Sequence, residues 1–394
     1  MRLKIGILGT RGIPNNYGGF EHIAGYLAKG LVEKGHDVTV YNSSKHPYTK
    51  SDWHGVHIIR CFDPEDKIGV TGQFIYDLNC LRHARKENYD ILLLLGYTSS
   101  SVWKRFYPAN AIIITNMDGL EWQRKKYKPL VRRFLKYAER LAVRSCAFHI
   151  ADSPVIKRLL DTKYGINCRY IAYGAATVQP ADENVLKEYD LERQQYFLLM
   201  ARMEPENNIE MILDGFRLTD SSRKFIVIGN TQNKYGSHLV KKYKNDDRIV
   251  FVGGIFNERK VQSLVCCCRL YFHGHSVGGT NPSLIDAMAA RAPIAAHFNP
   301  FTQAILKQNA RFFGSAEDVR SILNTNEYIN NADIERNYAT IEKYYRWEAI
   351  IDQYEDFFVD CYAAVHGYRP AIEKNILAKS REYSEEHISD AGIF

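Results

Sequence analysis

Short apolar runs alternate with amphipathic stretches in both halves of the chain, and this repeated alternation most restricts its fold. LKIGIL (3–8) leads into the turn GTRGIPNNYGG, and a segment near 20–34 then carries Ile23, Leu27 and Leu31 on one face, with Gly35 at its end. DVTVYN, VHIIRC, DILLLL, AIIITN and AFHIADS are further runs of strand length, while 73–86 and 130–145 show helical spacing. The second half repeats the plan with YFLLM, KFIVIG, RIVFVG, LYFHG and PIAAH, and with helices expected near 209–216 and 282–290. Strands that alternate with helices predict an α/β protein, whose mostly parallel sheets are covered on both faces. A polar, proline-containing stretch at 174–195 separates the halves. A long helix is expected over 347–366, with Ile350, Tyr354, Phe358, Cys361 and Ala364 along one side.

With 394 residues, the chain is long enough for two ordinary domains, and 45% hydrophobic with 25% charged residues is a globular composition. The net charge of +7 suits an anionic partner without choosing among nucleic acid, anionic lipid and a phosphorylated substrate. No recognised nucleic-acid module accompanies the charge, so nucleic acid is not expected. The eight cysteines include the consecutive Cys266, Cys267 and Cys268 and form no CxxC pair, which reads as buried free thiols in a reducing compartment. MRLKIGILG enters a strand directly and lacks the apolar core of a signal peptide. No run approaches the roughly 20 apolar residues of a spanning helix. The expected location is cytoplasmic, with peripheral association on the inner face of the plasma membrane left open.

Several constellations carry chemistry. The glycines after Gly9 fall at 12, 18 and 19, and no acidic residue closes VTVYNSS, so the first turn lacks the spacing of a dinucleotide fingerprint. Gly12, Gly18 and Gly19 either shape a turn or line a ligand crevice at a strand's carboxyl end. Arg202 follows YFLLMA directly, where a guanidinium neutralises a diphosphate leaving group; the alternative is a surface ion pair with Glu204 or Glu206. In HGHSVGGTNPSLIDAMA, small and turn residues through Gly279 and Thr280 lead to Asn281, Pro282 and Ser283, a helix start suited to receiving phosphate. Asp286, one turn in, accepts hydrogen bonds only and suits a sugar hydroxyl, with an ordinary solvated helix position as the alternative. His273 and His275 form an HxH pair without an evident third ligand, so no metal is expected. Asp118 follows the strand AIIITN and is the first candidate for a general base or acceptor-orienting carboxylate; Glu121 is the second. The run from Arg124 to Arg144 interleaves cations with Trp122, Tyr127, Leu130, Phe134, Leu135 and Leu141. It reads either as a surface for an anionic membrane or as a solvated helix with its apolar face in the core.

The chain resembles the retaining family 4 glycosyltransferases of GT-B fold, and within them the bacterial rhamnosyltransferase-like branch of capsule and exopolysaccharide synthesis, with a DUF1972-type N-terminal domain. The blocks GTRGIPNNYGGFE (9–21), DGLEW (118–122), PENN (205–208) and GGTNPSL, ending at Leu284, occur in the order of that branch, as does the tryptophan-led helix at 347–354. The likeness covers roughly residues 1–365. It implies an α/β GT-B architecture of two Rossmann-like domains facing across a cleft. These are an acceptor-side domain at 1–180 and a nucleotide-sugar domain at 190–340. A helical segment at 341–370 is expected to pack back on the first, followed by a charged tail at 371–394. By the same resemblance, Arg202 matches the arginine that compensates the donor diphosphate, and Asp286 matches the second carboxylate of the family's paired-glutamate motif. The first carboxylate position is Gly278 and the family lysine position is Asn207, departures that fit the rhamnosyl-like branch.

The resemblance implies transfer of a sugar, foremost L-rhamnose from dTDP-rhamnose, to a glycan or polyprenyl-diphosphate-linked oligosaccharide, without cofactor or metal. The residues expected at the donor are Gly12, Gly18, Gly19, Arg202, Glu206, Gly279, Thr280, Asn281, Pro282, Ser283 and Asp286; Arg202, Asp118 and Glu121 are the catalytic candidates. A UDP-hexose transferase of the same fold and a non-catalytic GT-B partner protein are the alternatives.

Overall fold

The computed structural model describes residues 1–16, 18–117, 119–124, 127–325 and 330–367. The expected charged tail at 371–394 lies outside these residues. The chain forms two compact units: Met1–Trp122 and Pro129–Tyr173 with the helix Trp347–His366, and Gln123–Lys128 with Gly174–Arg346.

The first unit is built on β1 (Lys4–Leu8), β2 (Asp37–Ser43), β3 (Asp52–Trp53), β4 (Val56–Cys61), β5 (Ile91–Leu95), β6 (Ile112–Asn116), β7 (Phe148–Ala151) and β8 (Arg169–Tyr170). Their order across the sheet is β3-β4-β2-β1-β5-β6-β7-β8, and every pairing is parallel except that of β3 with β4. All five residues of β5, ILLLL, are buried, as a central strand covered on both faces requires. The helix Gly19–Glu33 lays Ile23, Ala24, Leu27, Ala28 and Leu31 into the core. Its Gly30 meets Ile351 of the helix Trp347–His366 so closely that a Cβ there would lie 2.3 Å from the isoleucine Cδ1. Tyr26 stacks on Trp347 at 4.6 Å, and Lys34 pairs with Asp352 and Glu355 at 2.6 and 2.7 Å, so the chain's last described helix is a built part of this unit.

The second unit carries β9 (Tyr196–Met200), β10 (Lys224–Ile228), β11 (Ile249–Gly253), β12 (Leu270–His273), β13 (Ile294–His297) and β14 (Arg311–Phe313) in the order β11-β10-β9-β12-β13-β14, all parallel. Phe197, Phe216, Phe225 and Phe272 form a knot of rings with centroids 5.2 to 6.4 Å apart at the centre of its core.

In each sheet the strand order reverses beside the first strand, between β1 and β5 and between β9 and β12. Loops leaving two neighbouring strands at such a reversal turn to opposite faces and open a crevice at the strands' carboxyl ends. Both Rossmann-like units therefore place a loop named in the sequence, one after β1 and one after β9, at the point where this topology binds ligands. Among the described residues, no helix is long and apolar enough to cross a membrane.

Candidate functional site

At the reversal of the first sheet, the loop after β1 is held from inside. Gly9 (φ +90°) lies against the end of β5, where a Cβ would sit 2.1 Å from the Leu95 carbonyl oxygen. Gly12 (φ +130°) is packed on the amide of Asn42, which accepts from Ile13 N at 3.1 Å and donates to Ile13 O at 2.8 Å. Glu21, buried on the first turn of the helix Gly19–Glu33, accepts from Arg11 N at 2.8 Å and Thr10 Oγ1 at 3.3 Å. Arg11 itself forms a two-pronged pair with Glu65, at 2.9 and 2.6 Å. Gly18 caps the helix without a side-chain hydrogen bond, and Gly19 is its exposed first residue. Beneath the loops after β1 and β5, Ser99 donates to the buried carboxyl of Asp77, which burial pushes up to about 7. Asp118 lies outside the described residues. Glu121 is half-buried at the start of a turn after β6, one strand beyond the reversal. Trp122 beside it is anchored by its Nε1–H to Glu139 at 2.9 Å, a buried carboxylate that also accepts from Lys163 and Tyr164.

The reversal of the second sheet is more tightly built. The loops after β9 and β12 are clamped together: Ser276 donates from N and Oγ to the Glu206 carbonyl at 3.0 and 2.7 Å, and Asn208 Nδ2 donates to the Gly274 carbonyl at 2.8 Å. A Cβ on Gly274 would fall 2.0 Å from the Asn207 carbonyl oxygen, so only glycine permits this approach. Asn207 folds back to donate to the Arg202 carbonyl at 2.7 Å. The Arg202 side chain is exposed at the strand end and, among the described residues, no ion pair holds it. Glu206 does not pair with it: this carboxylate is buried and faces Arg124, 3.6 Å away. Arg124, Arg202, Glu206 and His275 thus gather around one strand-end crevice, with two guanidinium groups to one carboxylate.

Gly279, Thr280, Asn281, Pro282 and Ser283 complete the rim. Asn281 caps the helix Pro282–Ala289, accepting from Ser283 N at 3.1 Å and Ser283 Oγ at 2.8 Å; Leu284 N and Ile285 N donate to the Asn281 carbonyl. Pro282 has no N–H and the next three N–H groups go to Asn281, so the first-turn donors of this helix are engaged. Asp286 is half-buried on the same helix, and its Oδ1 accepts from Ala176 N at 3.4 Å.

Three features of the site emerge only from the packing. Glu21 organises the first loop, Arg124 reaches Glu206 from a distant part of the chain, and the rings of His273 and His275 stack with centroids 4.5 Å apart. His273 is 1% exposed and burial holds its pKa down, to about 3; His275 is depressed in the same direction by burial and by His273, Arg202 and Arg124. Both imidazoles are therefore neutral at physiological pH. Among the described residues, no group of three or more His, Cys, Asp or Glu side chains is placed to hold a metal ion.

Solved structures of known proteins share this fold. The structure of sucrose-phosphate synthase from Thermosynechococcus elongatus is similar to this chain with a TM-score of 0.73 at 15% identity, over 92% of this chain and 100% of that one. Anabaena HepE in complex with UDP and glucose gives 0.71 at 13% identity, over 91% and 100%. The catalytic domain of starch synthase IV from Arabidopsis thaliana, bound to ADP and acarbose, gives 0.66 at 12%, over 92% and 100%. At these identities the likeness is one of fold, and the chain has the GT-B fold of two Rossmann-like domains. Residues 2–176 match the family described as a domain of unknown function, DUF1972, and residues 182–343 match the family described as glycosyl transferases group 1. No curated protein matches the chain by sequence.

The buried neutral imidazole makes a prediction about stability. Unfolded histidine takes a proton near pH 6.5, whereas folded His273 resists it until about 3, so the unfolded state binds more protons between these values. The folded chain therefore loses stability as pH falls below 6.5, by on the order of 2 kcal/mol at pH 5 from this group. His273→Phe is expected to flatten the difference between urea unfolding curves at pH 7 and pH 5 by about that amount. An unchanged pH dependence would remove the assignment.

Proposed function

We propose that the protein is a glycosyltransferase that moves a sugar from a nucleoside-diphosphate donor to a glycan acceptor. The observation that carries this reading is the exposed Arg202 guanidinium at the β9–β12 reversal, beside a clamped small-residue loop in the domain that matches the glycosyl transferases group 1 family. In the reaction, the bond from the anomeric carbon to the diphosphate oxygen breaks and the diphosphate leaves with the electron pair. A positive group fixed at that position stabilises the developing charge more than it stabilises the ground state. Arg202 supplies it, with Arg124 adding to the local potential, and Asp286 holds a ribose hydroxyl of the donor. Gly279, Thr280, Asn281 and Ser283 line the donor's diphosphate and sugar, and Glu206 keeps Arg124 in place. By the resemblance, Gly12, Gly18 and Gly19 serve the donor phosphates and the acceptor, and Asp118 and Glu121 orient the acceptor hydroxyl, whose oxygen forms the new bond to the anomeric carbon. For a retaining enzyme the acceptor proton passes to the leaving phosphate on the same face, and the carboxylates of the DGLEW block orient the acceptor.

Within this reading dTDP-rhamnose is the preferred donor and a polyprenyl-diphosphate-linked oligosaccharide of capsule, exopolysaccharide or O-antigen synthesis the preferred acceptor. Support comes from the four motif blocks and from the neutral Gly278 and Asn207 at positions where the resembled family carries charge. A lipid-linked acceptor also accounts for the helix Pro129–Ser145. Its inner face is buried through Leu135, Ala138 and Ala142, while Leu130, Val131 and Tyr137 are 78%, 39% and 55% exposed. Arg133, Arg140 and Arg144 are exposed on the same helix. Exposed apolar side chains among arginines suit the surface of an anionic membrane.

Arg202→Ala is expected to lower the rate of sugar transfer by 2 to 4 orders of magnitude while thermal unfolding stays unchanged, as loss of one transition-state charge partner does, roughly 3–5 kcal/mol. Near-normal transfer by the folded variant would remove Arg202 from the mechanism. In vesicle flotation, the protein is expected to float with phosphatidylglycerol-containing vesicles and not with phosphatidylcholine alone. Replacing Arg133, Arg140 and Arg144 together by Gln should weaken that binding by about 100-fold, at about 1 kcal/mol for each charge near the surface. No flotation at low salt would rule out the membrane surface.

A further inference from the structure

The DGLEW block of the first unit is held at both ends, and one hold comes from a carboxylate that no step of the proposed reaction uses. At the start, Met117 is buried and its N–H donates to the Ile150 carbonyl of β7 at 2.8 Å. Leu120 is buried as well, and Glu121 N closes a tight turn on the Gly119 carbonyl at 2.8 Å. At the end, the Trp122 Nε1–H donates to Glu139 Oε2 at 2.9 Å. In sequence, Asp118 and Glu121 both fall between Met117 and Trp122.

Glu139 is 1% exposed, on the inner face of the helix Pro129–Ser145. Its other oxygen, Oε1, accepts from the Lys163 ammonium and the Tyr164 hydroxyl, at the end of the helix Pro154–Tyr164. All three partners are donors, as an acceptor-only carboxylate requires. The ammonium groups of Lys136 and Lys163 stand 4.5 and 5.2 Å from the centroid of the Trp122 ring, so the indole is held at its face as well as at its N–H. A buried ion pair adds little net stability over apolar residues of the same volume. Its contribution here is direction. An apolar side chain at 139 would pack against the indole, but it would not fix the N–H, and the turn that carries Glu121, at one angle. The outer side of the same helix exposes Leu130, Arg133 and Tyr137, so Glu139 ties the DGLEW block to the element proposed to meet a lipid-linked acceptor.

We propose that Glu139 is a positioning residue for the acceptor: through Trp122 it fixes the turn from which Asp118 and Glu121 orient the attacking hydroxyl. The inference rests on the acceptor role given to those two carboxylates above, and it adds the group that sets their place. Misplacing a reacting group by about 1 Å costs on the order of 100-fold in rate. Loss of the anchor therefore lowers the efficiency with which the acceptor is used and leaves donor binding, a property of the second unit, as it is.

Two substitutions test it, with dTDP-rhamnose as donor and a polyprenyl-diphosphate-linked disaccharide as acceptor. Trp122→Phe removes only the N–H and keeps a ring beneath the two ammonium groups; Glu139→Gln keeps the shape and replaces one acceptor atom by a donor. Each should lower kcat/KM for the acceptor by about 10- to 100-fold and leave the Kd of the donor unchanged. Because Glu139 acts through Trp122, the losses should not add: the double variant should be no slower than the worse single one. Unchanged acceptor kinetics, a parallel loss of donor binding, or additive losses would overturn the inference and leave the glycosyltransferase reading standing. No transfer by the unmodified chain would overturn both. The indole N–H resonances give a check that needs no turnover. The chain has four tryptophans, and the Trp122 signal is the one that Trp122→Phe removes. In the unmodified protein it should lie downfield and exchange slowly, and Glu139→Gln should move it toward the position of a solvated indole. A Trp122 signal already at that position in the unmodified protein would overturn the anchor itself.

Discussion

The reversal of strand order between β9 and β12 is the constraint on which the candidate site depends. Because the chain runs outward from β9 through β10 to β11 and then returns to lay β12 on the other side of β9, two loops far apart in sequence leave the sheet side by side. They stay together because Gly274 has no side chain to keep Asn207 away and because Ser276 and Asn208 bind the facing carbonyls. That clamp brings the Arg202 strand end close enough to His275 for its charge to act on the imidazole. The first sheet repeats the device at β1 and β5, where Gly9 plays the part of Gly274 and Glu21 supplies the tie.

Charge in the second site is graded. Arg202 stands exposed at the rim, the Arg124–Glu206 pair is buried behind it, and the two imidazoles deeper in are kept neutral by burial. A buried ion pair adds little net stability, and its worth here is to hold Arg124 in a fixed place without leaving an uncompensated charge. Asp77 in the other unit shows the opposite logic, a carboxyl that burial drives toward its neutral form under the loops after β1 and β5.

Much of this architecture is legible in the residues. ILLLL, YFLLM and KFIVI are too apolar for anything but central strands, and each is one. The face marked by Ile350, Tyr354, Phe358 and Cys361 is the buried face of the helix Trp347–His366, but Ala364, expected on the same side, is exposed in the last turn. The two-residue strands β3 and β8 and the three-residue β14 escape such a reading, because so short a pairing is decided by its neighbours and not by its own pattern. In the site, the place of Arg202 follows from the strand before it. The partnership of Glu206 with Arg124 does not, since it joins positions that no local period relates. The HxH spacing raises only the question of a metal; that the two rings are stacked, buried and short of partners emerges from packing.

In the proposed function the second unit binds a nucleoside-diphosphate sugar at the β9–β12 reversal. Isothermal titration of the unmodified protein with dTDP-rhamnose, UDP-glucose, GDP-mannose and NAD tests it most directly. Saturable binding of a sugar nucleotide, dTDP-rhamnose foremost, is expected, and none of NAD. Binding of NAD with no response to any sugar nucleotide would contradict it.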